Sequence, residues 1–165
     1  MYQTIQIGVK IFKEEGFFKF IKIFCRYAIK RAFLPIWLIK IKNFKTNNLN
    51  ELVDFCFTVG GGLIKPAQVR DEILQLLIFL NKLNPKYILE IGTGNGGTLF
   101  LFSRIASQNA TIISIDLPGG AFGGGYPKWK IPLFKSFALS KQRIHLIRAD
   151  SHERETLEKT KSILG

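Results

Sequence analysis

The chain has 165 residues, 47% hydrophobic and 22% charged, enough apolar material for one modest domain and too much for a disordered tail. Its formal charge of +12 gathers at the front, where residues 1–45 hold ten Lys and Arg against Glu14 and Glu15. A phosphate footprint belongs on the domain that reads it, so no nucleic-acid partner is expected.

Cys25 and Cys56 stand apart with no C-x-x-C or Cys/His pairing, which supports neither a metal site nor a disulfide framework and fits a reducing cytoplasm. The first residues lack the charged, apolar and small-residue order of a signal peptide. The uncharged run 32–39 is far shorter than the roughly 20 residues of a spanning helix.

In chain order, residues 9–33 read as a helix, with Lys19, Lys22, Arg26 and Lys30 on one stripe and aromatic and aliphatic residues around them. Pro35 interrupts it. Through residues 9–41 this basic, aromatic-rich character suits the headgroup region of an anionic membrane at the cytoplasmic face. The alternative is a helix packed on the same protein or on a sister subunit of a homo-oligomer.

The polar stretch 45–51 divides a basic helical arm, 1–45, from a linker, 46–63, and a cofactor-binding domain, 64–165. Gly60, Gly61 and Gly62 act as a hinge within the linker. A helix is predicted from Pro66 to Asn84-Pro85, with Val69, Ile73, Leu76, Leu77 and Leu80 as its apolar face.

From residue 87 strands and helices alternate: a buried strand at 87–91, a helix from Gly96, a strand at 111–116, a helical stretch at 127–142, a strand at 144–150 and a closing helix. That order predicts an α/β fold with an open parallel sheet, whose ligands bind at the carboxyl ends of the strands. The loop after Ile91, Asp116 and Asp150 all fall there.

The loop contains two overlapping patterns. Gly92, Gly94 and Gly97 spell G-x-G-x-x-G, a dinucleotide turn, whereas Glu90, Gly92, Gly94 and Gly96 spell E-x-G-x-G-x-G, a pattern of S-adenosylmethionine sites. Glu90 separates them: a carboxylate two residues before the first glycine repels a pyrophosphate and attracts an ammonium and a sulfonium. Asp116, at the end of the second strand, can accept from both ribose hydroxyls of either cofactor.

Together "KYILEIGTGNGGTLFLFSRIA", "IISIDLPGG" and "IHLIRADSHERETL" resemble the first half of a class I S-adenosylmethionine-dependent methyltransferase, closest to the bacterial O-methyltransferase-like and cephalosporin-hydroxylase-like groups. The resemblance covers about residues 64–164. It implies a Rossmann-like sheet of about seven strands, of which three are present, so the chain is expected to be truncated after Gly165.

It also implies that Glu90 and the backbone of Gly92, Thr93, Gly94, Gly96 and Gly97 hold the methionyl part, Asp116 the ribose, Asp150 the adenine region and Leu117 the adenine face. Gln68 is implied to line the pocket, with Glu72 one turn later; a solvated helix surface is the competing reading of both. The methyl acceptor is implied to be an oxygen of a small molecule or saccharide, with no metal assigned.

The stretch LPGGAFGGGYPKW, 117–129, with five glycines and three aromatics, can form a flap that closes Phe122, Tyr126 and Trp129 over a ligand, or an ordinary connection. His152 and His145 are weaker candidates for a base. Two other functions stay open: an NAD(P)-binding protein of the same fold, and a non-catalytic, membrane-associated remnant.

Overall fold

The computed structural model describes residues 16–119, 125–139 and 141–165. Residues 9–15 of the expected first helix and Phe122 of the expected flap lie outside the described residues. The chain divides into two compact units, Met1–Ile36 and Trp37–Gly165. The first contains helix α1 (Phe17–Ala32). Helix α2 (Leu34–Asn43) follows, its Ile41 fully buried.

Helix α3 (Leu49–Gly62) occupies most of the expected linker 46–63. The asparagines read as a break are in fact a start: Asn48 caps the helix, its Oδ1 accepting from the amides of Asn50 at 2.9 Å and Glu51 at 3.4 Å. Leu52, Val53, Cys56 and Val59 then bury one face. The helix loses its regular dihedrals at Val59–Gly61, where Gly60 (φ 59°) and Gly61 (φ 62°) turn the chain toward the buried Leu63 and Ile64.

Helix α4 (Arg70–Leu83) starts four residues later than Pro66 predicts; Ile64 and Pro66 instead pack closely against Gly97, as described below. Asn84 (φ 45°) ends it in the left-handed region. Ile73, Leu74 and Leu77 are buried and Leu80 half-buried, whereas Val69 and Leu76 are exposed. The buried face is thus rotated slightly from the predicted one.

Strands β1 (Tyr87–Ile91), β2 (Thr111–Asp116) and β3 (Arg143–Arg148) form an all-parallel open sheet in the order β1-β2-β3. Helix α5 (Gly97–Ile105) connects the first pair; a 3-10 turn (Lys128–Lys130) and a short helix α6 (Ile131–Lys135) connect the second; helix α7 (Arg154–Leu164) follows β3. The crossover at 127–142 is therefore less helical than predicted, with Pro132 in the first turn and Ser136 ending it.

β2 is buried at every position, as a central strand with covered faces requires. β1 departs from the expected buried strand. Its Tyr87, Leu89 and Ile91 are exposed and Glu90 is buried, and among described residues its ladder runs to β2 alone.

The core is aromatic. Phe100, Phe134 and Phe137 are fully buried, with ring centroids 5.4 Å apart for Phe100–Phe137 and 5.7 Å for Phe134–Phe137. Arg104 lies over Phe100 at 4.5 Å and donates to the carbonyls of Phe137 at 2.6 Å and Ile41 at 2.9 Å. Burial pulls its guanidinium down to about 10. Ile113, Ile115 and Ile147 form a second cluster, packed against Ala149 and Ile163.

Phe100→Ala is expected to cost about 3–5 kcal/mol in urea unfolding, since the ring leaves a cavity among three packed elements. Phe79→Ala, on an exposed face of α4, is expected to stay within about 0.5 kcal/mol of the parent.

Candidate functional site

The chain leaves β1 through a turn at 92–96 that sits at the carboxyl end of the sheet and opens directly into α5. Gly96 and Gly97 are demanded by packing. A Cβ on Gly96 (φ 85°) would stand 2.3 Å from Cε1 of Phe134, and one on Gly97 would stand 2.4 Å from the carbonyl oxygen of Ile64. Packing alone thus accounts for a glycine at both positions, at Gly97 through the close approach of Ile64 and Pro66 to the start of α5.

Gly92 and Gly94 face open space and line a cleft of about 250 Å³, together with Lys65–Gln68, Thr93, Asn95, Gly97, Thr98 and Gly125. Three amides of the turn donate inward. Gly92 N bonds the carbonyl of Ile115 at 2.8 Å, Gly96 N that of Thr93 at 2.7 Å, and Gly94 N the Oδ2 of Asp116 at 2.7 Å.

Beneath the turn lies a buried polar network. Thr98 Oγ1 donates to Glu90 Oε1, and Ser114 Oγ donates to Glu90 Oε2 at 2.5 Å. Thr93 Oγ1 lies 2.6 Å from Ser114 Oγ; with the Ser114 proton directed to Glu90, Thr93 is the donor of this pair. Glu90 is thus the common acceptor of hydroxyls from α5 and β2, and the turn joins the network through Thr93 and Ser114. Burial pushes its carboxyl above the ordinary range, the two hydroxyl bonds oppose that, and the charge of Asp116 adds to it.

Asp116 closes the turn from the side. Besides Gly94, it accepts at Oδ1 from the amides of Leu117 at 2.8 Å and Gly125 at 2.9 Å. Of the roughly four lone-pair directions of a carboxylate, three are taken, which leaves one on Oδ2.

Lys130 is not among the candidates read from the sequence. Its ammonium is buried behind the turn, donating to Asn95 Oδ1 at 2.9 Å and to the carbonyl of Leu63 at 3.3 Å. Asn95 Nδ2 in turn reaches the carbonyl of Lys65 at 3.4 Å. Only the neighbouring aromatic residues, over which a Lys stem can pack, offered a signal in the sequence.

The remaining candidates divide. Gln68 lines the cleft, while Glu72 is exposed and outside its lining. Glu90 and Asp116 meet the turn from behind and beside, and neither lines the cleft. Leu117 is exposed and also outside the lining.

Asp150 lies on the surface, where bonds from His152 at 2.9 Å (amide) and 3.0 Å (Nδ1) hold its carboxyl below the usual range. His152 is almost fully exposed. His145 is within β3, lowered by burial and by the charges of Lys135 and Arg143.

Of the two readings of 117–129, a flap or an ordinary connection, Tyr126 fits the second: it is buried, with Phe134 at 4.8 Å edge-on and Arg148 over its ring at 4.9 Å. Arg148 also ties the segment down by donating to the carbonyls of Tyr126 and Pro118. Among the described residues no three His, Cys, Asp or Glu side chains come together as a metal site.

No protein-family model and no curated protein matches the sequence.

Two outcomes follow from the turn. Gly96→Ala is expected to cost at least about 2 kcal/mol in urea unfolding, from the clash with Phe134 and the left-handed backbone together. Glu90 governs a pH dependence. Between its ordinary value and the raised folded value, the native state keeps a proton that the unfolded chain has released. Its stabilising contribution is therefore full at low pH and is lost as pH rises through the folded-state value. Glu90→Gln should flatten that part of the unfolding free energy measured against pH; an unchanged slope would assign it to another group.

Proposed function

We propose that residues 64–165 form the cofactor-binding half of an S-adenosylmethionine-dependent methyltransferase. The observation that carries this reading is where the turn's amides point: Gly92, Gly94 and Gly96 all donate within the protein, one of them to a carboxylate. A pyrophosphate site needs such amides turned toward the anion. With Glu90 beneath the turn and Asp116 beside it, the surroundings favour a cationic ligand over a dinucleotide.

The residues present fit the group in part. The cleft, about 250 Å³, is somewhat below the roughly 300–1,000 Å³ of small-molecule sites and takes a portion of such a cofactor. Asp116 has one free acceptor direction, on Oδ2, for a ribose hydroxyl. Gln68 and Asn95 offer amide groups at the cleft wall. Glu90 acts through Thr98, Thr93 and Ser114, holding the turn open at fixed width.

When bound, the cofactor supplies an electrophilic methyl group on a sulfonium. The acceptor class consistent with the resemblance is an oxygen of a small molecule or saccharide, attacking in line without a covalent enzyme intermediate. In the same reading the three parallel strands belong to a larger Rossmann-like sheet, and the open side of β1 fits pairing with a further strand.

Calorimetry with S-adenosylhomocysteine and with NADH tests this. Binding of the first and not the second is expected, weakened about ten- to a hundredfold by Asp116→Ala. Circular dichroism of the variant checks that its fold survives the loss of the Gly94 and Gly125 bonds. Tighter binding of NADH would overturn the reading, and equal affinity of parent and variant would remove the ribose contact from it.

A further inference from the structure

Helix α1 carries an exposed apolar stripe. Phe18, Ile21, Cys25 and Ile29 follow one another at steps of three and four residues, which places them on one side of a helix. All four are exposed, Phe18 to 88%. Such a continuous apolar strip on a helix surface marks an interaction site.

The charge on the helix limits what can cover it. The sixteen residues of α1 include five Lys and Arg and no Asp or Glu. The absence of acids continues well past the helix, since the sequence has none from Gly16 to Asn50. Lys22, one turn from Phe18, and Arg31 in the last turn are both exposed. Their long stems can lie along apolar material while the charges reach outward.

We propose that α1 docks in the plane of an anionic lipid surface, Phe18, Ile21, Cys25 and Ile29 entering the acyl boundary and Lys22 meeting lipid phosphates, while Arg31, on the far side of the helix, adds to its positive field. The complementarity is of charge and of layering. An occupant must be negative along the whole helix and apolar just below that layer, and an anionic bilayer offers both in the required order. No helix of the described residues is long and apolar enough to cross a membrane, so contact through α1 is in-plane.

Cys25 supplies the probe. It is exposed on the stripe, whereas Cys56 is fully buried and burial pushes its thiol up, so an environment-sensitive dye labels Cys25 selectively. The labelled full chain is mixed with vesicles of phosphatidylcholine alone, or of phosphatidylcholine with phosphatidylglycerol. A blue shift and co-sedimentation are expected only with the anionic vesicles, the affinity falling about tenfold or more between low and high salt.

Phe18→Ser with Ile29→Ser, and separately Lys22→Glu with Arg31→Glu, should each weaken binding about tenfold or more. Equal binding to neutral vesicles would overturn the proposal. So would a dye shift that grows with protein concentration in the absence of lipid, which would assign the stripe to a second copy, or a larger shift with duplex DNA. The parent chain alone decides these arms, so they hold even if a variant fails to fold. The stripe variants should keep their affinity for S-adenosylhomocysteine, so lipid binding and cofactor binding stand or fall separately.

Discussion

A buried carboxylate is costly unless its oxygens are met, and Glu90 is met by hydroxyls from two other elements, with a third behind them. Thr98 brings the first turn of α5, Ser114 the middle of β2, and Thr93 the turn itself. The pairing of Glu90 with Ser114 in the sheet register makes this convergence possible. A slip of one residue would turn Ser114 to the opposite face and strand the carboxylate. Sheet register, entry angle of α5 and width of the turn are therefore set by one group of four side chains.

Around that centre several cationic side chains are met by backbone carbonyls, Lys130 buried, Arg104 and Arg148 half-buried and Lys135 exposed. The chain has twice as many Lys and Arg as Asp and Glu, 24 against 12, so few acids are available as partners. Arg104, Lys130, Lys135 and Arg148 donate instead to backbone carbonyls of Ile41, Phe137, Leu63, Ile144, Tyr126 and Pro118. These bonds link elements distant in sequence, with directional geometry and without a second desolvated charge. Lys130 matters most for the site, because Asn95 hangs from it at the mouth of the cleft.

β1 shows what a sheet edge does to a hydrophobic pattern. Its sequence, YILEI, reads as an apolar strand with one misplaced acid. In the fold the acid is inside, because hydroxyl donors await it there, and Tyr87, Leu89 and Ile91 are outside. An apolar strand with an open edge is a surface that pairs or packs readily.

The residues themselves specify the alternating order of strands and helices, the parallel sheet, the glycine turn and the positions of Glu90 and Asp116 at strand ends, because these rest on local periodicity and backbone conformation. Asn48 was visible too, yet its meaning depended on whether the apolar residues after it found a partner; they did, and a linker became a helix.

Other features were beyond local pattern. Lys130 reaches Leu63 across 67 positions, Gly97 meets Ile64 and Pro66, and Tyr126 is pinned beneath Arg148. Asp150 falls at a strand end by sequence but lies on the surface outside the cleft lining. Sequence determined which groups stand at the carboxyl ends of the strands. Tertiary structure alone decided which of them face the cleft, because that choice depends on donors and surfaces contributed by segments far away along the chain.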